Sequence, residues 1–96
     1  MEAERSDIVE ALCGRDRGGY FFVLETDGDY ALLADGKRRK VERPKRKKQK
    51  HIRLAARTES RVAAKLRSGG KVLNSELRRE LAAFCQKSQS QNQGGQ

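Results

Sequence analysis

Apolar and polar positions change period once along this chain, from a strand-like to a helix-like spacing. DIVEALC at 7–13 partly alternates apolar and polar residues, as a strand with one buried face does. GYFFVLE at 19–25 is aromatic and β-branched, a composition that favours strands. Thr26-Asp27-Gly28 signals a turn, and DYALLA at 29–34 predicts a third strand. Asp35-Gly36 is the strongest hairpin signal, because a type I′ turn needs positive φ at both central residues. It predicts a fourth strand over KRRKVE, 37–42, anchored in the core by Val41. Pro44 would end that strand, having no amide hydrogen for a ladder. KRKKQK at 45–50 then reads as a basic loop, and HIRLA at 51–55 as a fifth strand. The expected core is Val9, Phe22, Leu24, Leu32 and Val41. The unbroken apolar runs of the second and third strands do not show which face is inside.

After residue 57 the spacing becomes helical. Thr58 is placed to cap a helix whose Val62 and Leu66 share a face, and Ser68-Gly69-Gly70 stops it. Asn74 is placed to cap a second helix, with Glu76 in its first turn and Leu77, Leu81 and Phe84 on one side. QKSQSQNQGGQ at the end predicts a disordered tail. Short antiparallel strands joined by tight turns hide their edges best by closing, so a small antiparallel barrel is expected. The expected organisation is a flexible N-terminus at 1–5, a barrel with a basic loop at 6–57, a helical extension at 58–86 and the tail at 87–96. The fold class is mainly β with C-terminal helices.

Charge sharpens the picture. The net charge is +9, yet residues 1–36 carry −6, residues 37–57 carry +11 and residues 58–96 carry +4. Twelve Lys/Arg within 37–57 repel one another unless a polyanion neutralises them. The acidic opening would orient the approach of that partner. No apolar run is long enough for a membrane span, and MEAERSDIVE lacks the order of a secretory signal. Cys13 and Cys85 have no metal-type spacing, and a reduced, cytoplasmic state is expected for both.

CGRDRGGYFFVL, 13–24, places glycines around an Arg-Asp-Arg triplet. A P-loop would need Lys and Ser or Thr after its last glycine and would lead into a helix; here Tyr20 and Phe21 follow and lead into a strand. An RGG tag would repeat in disordered sequence, and Arg17-Gly18-Gly19 is single. What remains is a strand–turn–strand in which Gly14 and Gly18 allow backbone angles closed to other residues. Arg15 and Arg17 would point outward, and Asp16 would brace amides or pair with an arginine. The stretch DIVEALCGRDRGGYFFVLE resembles the KOW motif of ribosomal and transcription-elongation proteins, with Gly18 at the family's glycine and Gly19 where related loops often carry lysine. YALLADGKRRKVERPKRKKQKHIRL resembles the large-subunit ribosomal protein family fourteen-e, in a compact bacterial or archaeal form. AAKLRSGGKVLNSELRREL is similar to the helical extension of such proteins. The resemblance spans roughly 6–84. It implies an SH3-like barrel that binds ribosomal RNA, often beside neighbouring ribosomal proteins.

The expected function is therefore non-catalytic RNA binding on or near the ribosome. The expected RNA-binding residues are Arg15, Arg17, Lys37, Arg38, Arg39, Lys40, Arg43, Lys45, Arg46, Lys47, Lys48, Lys50, His51 and Arg53, with Gly14, Gly18, Asp35 and Gly36 as structural turns. His51 has no acid or cysteine partner at motif spacing, so a base or phosphate contact and a structural surface role stay equally open. Tyr20, Phe21 and Tyr30 could stack on unpaired bases, with core packing as the default. RPKRKK also fits a nuclear import signal, and Arg78 and Arg79 would serve a DNA-reading helix, although that helix's leucines are better committed to packing. A protein-binding SH3-like module is the remaining alternative. No acid–base or nucleophile constellation points to an enzyme, and no metal, cofactor or small-molecule substrate is expected.

Overall fold

The computed structural model describes residues 2–94. Five antiparallel strands, β1 (Ile8–Ala11), β2 (Tyr20–Asp27), β3 (Tyr30–Ala34), β4 (Lys45–Lys48) and β5 (Ile52–Ala56), form one sheet in the order β4-β3-β2-β1-β5. One turn of 3-10 helix, Gln49–His51, joins the two edge strands directly. It bonds to both ends of the hairpins: the Gln49 amide donates to Asp29 O at 2.7 Å and Leu12 N donates to His51 O at 2.9 Å. The sheet thus curls into the small barrel expected from the sequence. Two helices, α1 (Arg61–Ser68) and α2 (Asn74–Gly94), follow it.

Both faces of the sheet are buried over β1, the first half of β2 and the end of β3, which explains why the apolar runs did not reveal an inside. Val9, Ala11, Phe21, Val23, Ala31, Leu33 and Ile52 fill the barrel interior. Their neighbours Ile8, Phe22 and Ala34 point the other way and pack under Val62, Leu66, Val72, Leu77 and Leu81 of the helical segment. Leu24 and Val41 lie at the margin of this second core, while Leu32 is half-buried outside it. Phe21 and Phe22 are both fully buried, on opposite faces. Each contributes roughly 1.5–3 kcal/mol by leaving water.

The register of β2 on β3 shifts between Val23 and Glu25, leaving Leu24 as an extra residue in a bulge. The fourth strand differs from expectation. KRRKVE is a loop, and the strand is KRKK, 45–48, within the stretch expected as the basic loop. Asp35 is the cause. Its Oδ1 accepts from the amides of Lys37 and Arg39, each at 2.9 Å, while its own amide and that of Gly36 donate to Arg39 O. The chain therefore closes on itself over 35–39 instead of turning straight back as a hairpin. Pro44 precedes the ladder rather than ending it, and pairing starts at Lys45.

Ser60, not Thr58, caps α1, its hydroxyl accepting from Ala63 N at 3.2 Å, and Gly69 in the left-handed region ends it. Glu76 reaches back to the Leu73 amide at 2.9 Å, so it closes the start of α2. Asn74, expected as that cap, instead accepts from Val41 N at 2.8 Å and donates to Glu42 at 2.9 Å, pinning the 35–44 loop. The N-terminal segment, expected to be flexible, is fastened. Ala3 is buried in the barrel core, and the Gln49 amide group bonds both its N–H and its carbonyl. α2 extends over Asn74–Gly94, so its last turns overlap the expected tail at 87–96. Residues 95 and 96 of that tail lie outside the described residues. No helix is long and apolar enough to cross a membrane among the described residues.

Candidate nucleic-acid interface

Strand register brings two separated stretches to one end of the barrel. β1 pairs with β2 up to Glu10 opposite Tyr20, and β2 pairs with β3 up to Phe22 opposite Ala34. The loop between β1 and β2 (12–19) and the loop between β3 and β4 (35–44) therefore leave the sheet side by side. The first is a tight turn. Gly18 N donates to Ala11 O at 2.9 Å, Gly19 N to Asp16 O at 2.9 Å and Arg17 N to Gly14 O at 3.2 Å. Gly14 and Gly18 have φ of +80° and +84°, angles at which a Cβ is strained. Arg15 and Arg17 are exposed at its tip.

Asp16 between them is buried and turns inward. The Arg39 guanidinium grips it with two bonds, Nε to Oδ1 at 3.3 Å and Nη2 to Oδ2 at 3.1 Å, tying the two loops together. Burial pushes the Asp16 carboxyl up. The Arg39 hydrogen bonds and the charges of Arg39, Lys47 and Lys45 outweigh burial and hold it below the ordinary value. Asp16 is thus an internal counter-ion that lets several cations gather here.

On β4, Lys45 and Lys47 lie opposite Leu33 and Ala31, on the interior face, while Arg46 and Lys48 lie opposite Leu32 and Tyr30 on the outer one. Lys47 is buried, and its Nζ donates to Cys13 O at 2.8 Å. It supports the 12–19 loop from below and cannot face a phosphate as expected. Its long stem covers core while its ammonium satisfies a carbonyl, a division that spacing alone does not reveal.

The fourteen expected contact residues divide accordingly. Arg39 is held by Asp16, Lys47 by Cys13, and Arg53 by Glu10; Arg46 lies over the Tyr30 ring. Hydrogen bonding to Glu10 and its charge raise the Arg53 guanidinium's pKa further. His51 is half-buried beside Leu12. Arg15, Arg17, Lys37, Arg38, Lys40, Arg43, Lys45, Lys48 and Lys50 have no ion-pair partner among the described residues. The first seven of these sit at or beside the two-loop end. Gly36, expected as a hairpin glycine, has φ +79°, and a Cβ there would lie 2.2 Å from Asn74 O. It lets the start of α2 press against the second loop, where Arg78 also bonds Gly36 O.

Fold and site together define a small antiparallel barrel with a cation-rich end built from two loops and braced by a buried carboxylate. A scan against known protein-family models finds no match, and a search of curated proteins finds none either.

Proposed function

We propose that this chain is a non-catalytic RNA-binding module that works in the cytoplasm on or beside the ribosome. The observation that carries the reading is the set of cations at the two-loop end with no ion-pair partner among the described residues: Arg15 and Arg17 from one loop, Lys37, Arg38, Lys40 and Arg43 from the other, and Lys45 at the start of β4. Cations held apart on rigid turns, with a carboxylate buried beneath them, suit a backbone of spaced phosphates. The KOW-like sequence of residues 7–25 supports the choice of structured RNA over other polyanions, and of ribosomal RNA with neighbouring ribosomal proteins as its setting.

Each cation that neutralises a phosphate releases counterions, so log affinity falls linearly with log salt by about 0.7–0.9 per contact. Five to seven contacts at this end give a slope of about −4 to −6 on the same basis. The test is binding of a folded ribosomal RNA fragment across a salt series, with wild type and with Arg15, Arg17, Lys37 and Arg38 changed together to Ser. The variant keeps the fold, because all four side chains are exposed, and flattens the slope by about 3. A wild-type slope near zero, or an unchanged slope in the variant, overturns the reading.

A further inference from the structure

The helices cover the outer face of the sheet over β1 and β2 but not over the far end of β3 and β4. Tyr30 and Leu32 lie outside the core beneath the helices. Directly opposite them on β4 stand Lys48 and Arg46. The Arg46 guanidinium carbon sits 3.8 Å from the centre of the Tyr30 ring, face contact between cation and π-system. A terminal nitrogen of the same group is 3.9 Å from Asp27 Oδ2, and the Arg46 side chain remains 57% exposed. One side of the guanidinium is thus held on an aromatic ring, one edge is steadied by a carboxylate, and much of the group remains open to solvent.

We infer that Arg46, seated on Tyr30, is a stacking platform for an unpaired RNA base, with Lys48 taking the adjoining phosphate. The inference rests on the RNA-binding reading above and adds where a single-stranded segment would lie. Guanidinium is planar and weakly hydrated, so its open face suits a nucleobase, whereas lysine offers only a point charge. Asp27 beside it disfavours a phosphate at that edge, so the group is better suited to a base than to the backbone. A duplex keeps its base faces stacked inside the helix, and loops and bulges present them. Lys48 and Lys50 are exposed with no ion-pair partner among the described residues, so a phosphate next to the stacked base has a cation to meet.

The test pairs a change in protein with a change in RNA. An RNA hairpin with an unpaired adenine loop is compared with the same hairpin carrying abasic sites in that loop. Proteins are wild type, Arg46→Lys, Tyr30→Leu and Tyr30→Phe, each checked for its folded far-UV spectrum. Wild type binds the intact hairpin about five- to tenfold more tightly than the abasic one, the lower end of stacking on one side chain. Arg46→Lys and Tyr30→Leu lose that preference, while Tyr30→Phe, which keeps the ring, retains it. Arg46→Lys keeps the wild-type salt slope because its charge is conserved. Wild-type binding with a steep salt slope but no dependence on the loop bases overturns the stacking platform and leaves RNA binding standing. An equal loss for Arg46→Lys on both hairpins also overturns it, by showing a phosphate contact. Absence of any RNA binding by wild type overturns both.

Discussion

Asp16→Ala tests the brace beneath the cation-rich end. The Asp16 side chain is 5% exposed and that of Arg39 is 32% exposed, and two charge-assisted bonds join them. Such bonds contribute about 1.5–3 kcal/mol each when well buried. Arg39 can recover water when its partner is removed, which lowers that figure. Truncating Asp16 also leaves Arg39, Lys47 and Lys45 facing one another uncompensated. Asp16→Ala should therefore cost about 2–3 kcal/mol, and Arg39→Ala about 1–2 kcal/mol. The double variant should cost at least about 1 kcal/mol less than the sum of the singles. For a domain of this size, Asp16→Ala lowers Tm by about 10–20 °C. The pH dependence has a definite sign. The folded carboxyl titrates below its ordinary value of 3.8, so its contribution is complete above that value and is lost as pH falls through the folded value. The stability gap between wild type and Asp16→Asn should be widest near neutral pH and should narrow below about pH 4. Denaturant titrations at a series of pH values measure it. A gap that stays constant down to pH 2.5, together with additive single variants, refutes the brace.

Other substitutions separate core, turn and contact. Phe22→Ala, at a fully buried position beneath the helices, should cost about 3–5 kcal/mol in urea unfolding, and a loss under 1 kcal/mol would place the second core wrongly. Gly18→Ala meets no atom within 4 Å and carries only the strain of positive φ, about 1–2 kcal/mol. Gly36→Ala adds a collision with Asn74 O and should cost at least about 1 kcal/mol more, so equal losses would contradict the close approach. Lys47→Ser removes the buried support of Cys13 O and should lower stability by about 1–3 kcal/mol, whereas Lys48→Ser on the exposed face should stay within about 0.5 kcal/mol. Matching Tm values for these two lysine variants would show that β4 does not alternate as described.

Local chemistry made much of this protein legible. The aromatic and β-branched run of β2 predicts a strand whatever surrounds it, and the 3.6-residue spacing of Leu77, Leu81 and Phe84 predicts a helix. The glycines of 12–19 predict a turn with positive φ, and Gly14 and Gly18 have it. Charge density alone marked 37–57 as the most basic segment of the chain. What the sequence left open depended on partners distant along the chain. Whether Val9 or Ile8 faced inward had no answer from one strand, because the helices bury Ile8 and Phe22 as completely as the barrel buries Val9 and Phe21. Asp35-Gly36 looks like a hairpin turn until the Asp35 side chain captures two amides and Asn74 captures a third from across the fold. KRKK shows no apolar alternation, so no hydrophobic period could mark it as a strand; β3 supplies its ladder, and the interior accepts Lys47 only because the Cys13 carbonyl is there to meet it. Which lysines and arginines have no ion-pair partner among the described residues was likewise a tertiary decision. Arg39, Lys47 and Arg53 are chemically indistinguishable in sequence from Arg38, Lys48 and Arg43, and only the positions of Asp16, Cys13 and Glu10 after folding give the first three a partner, Arg53 remaining exposed beside its own.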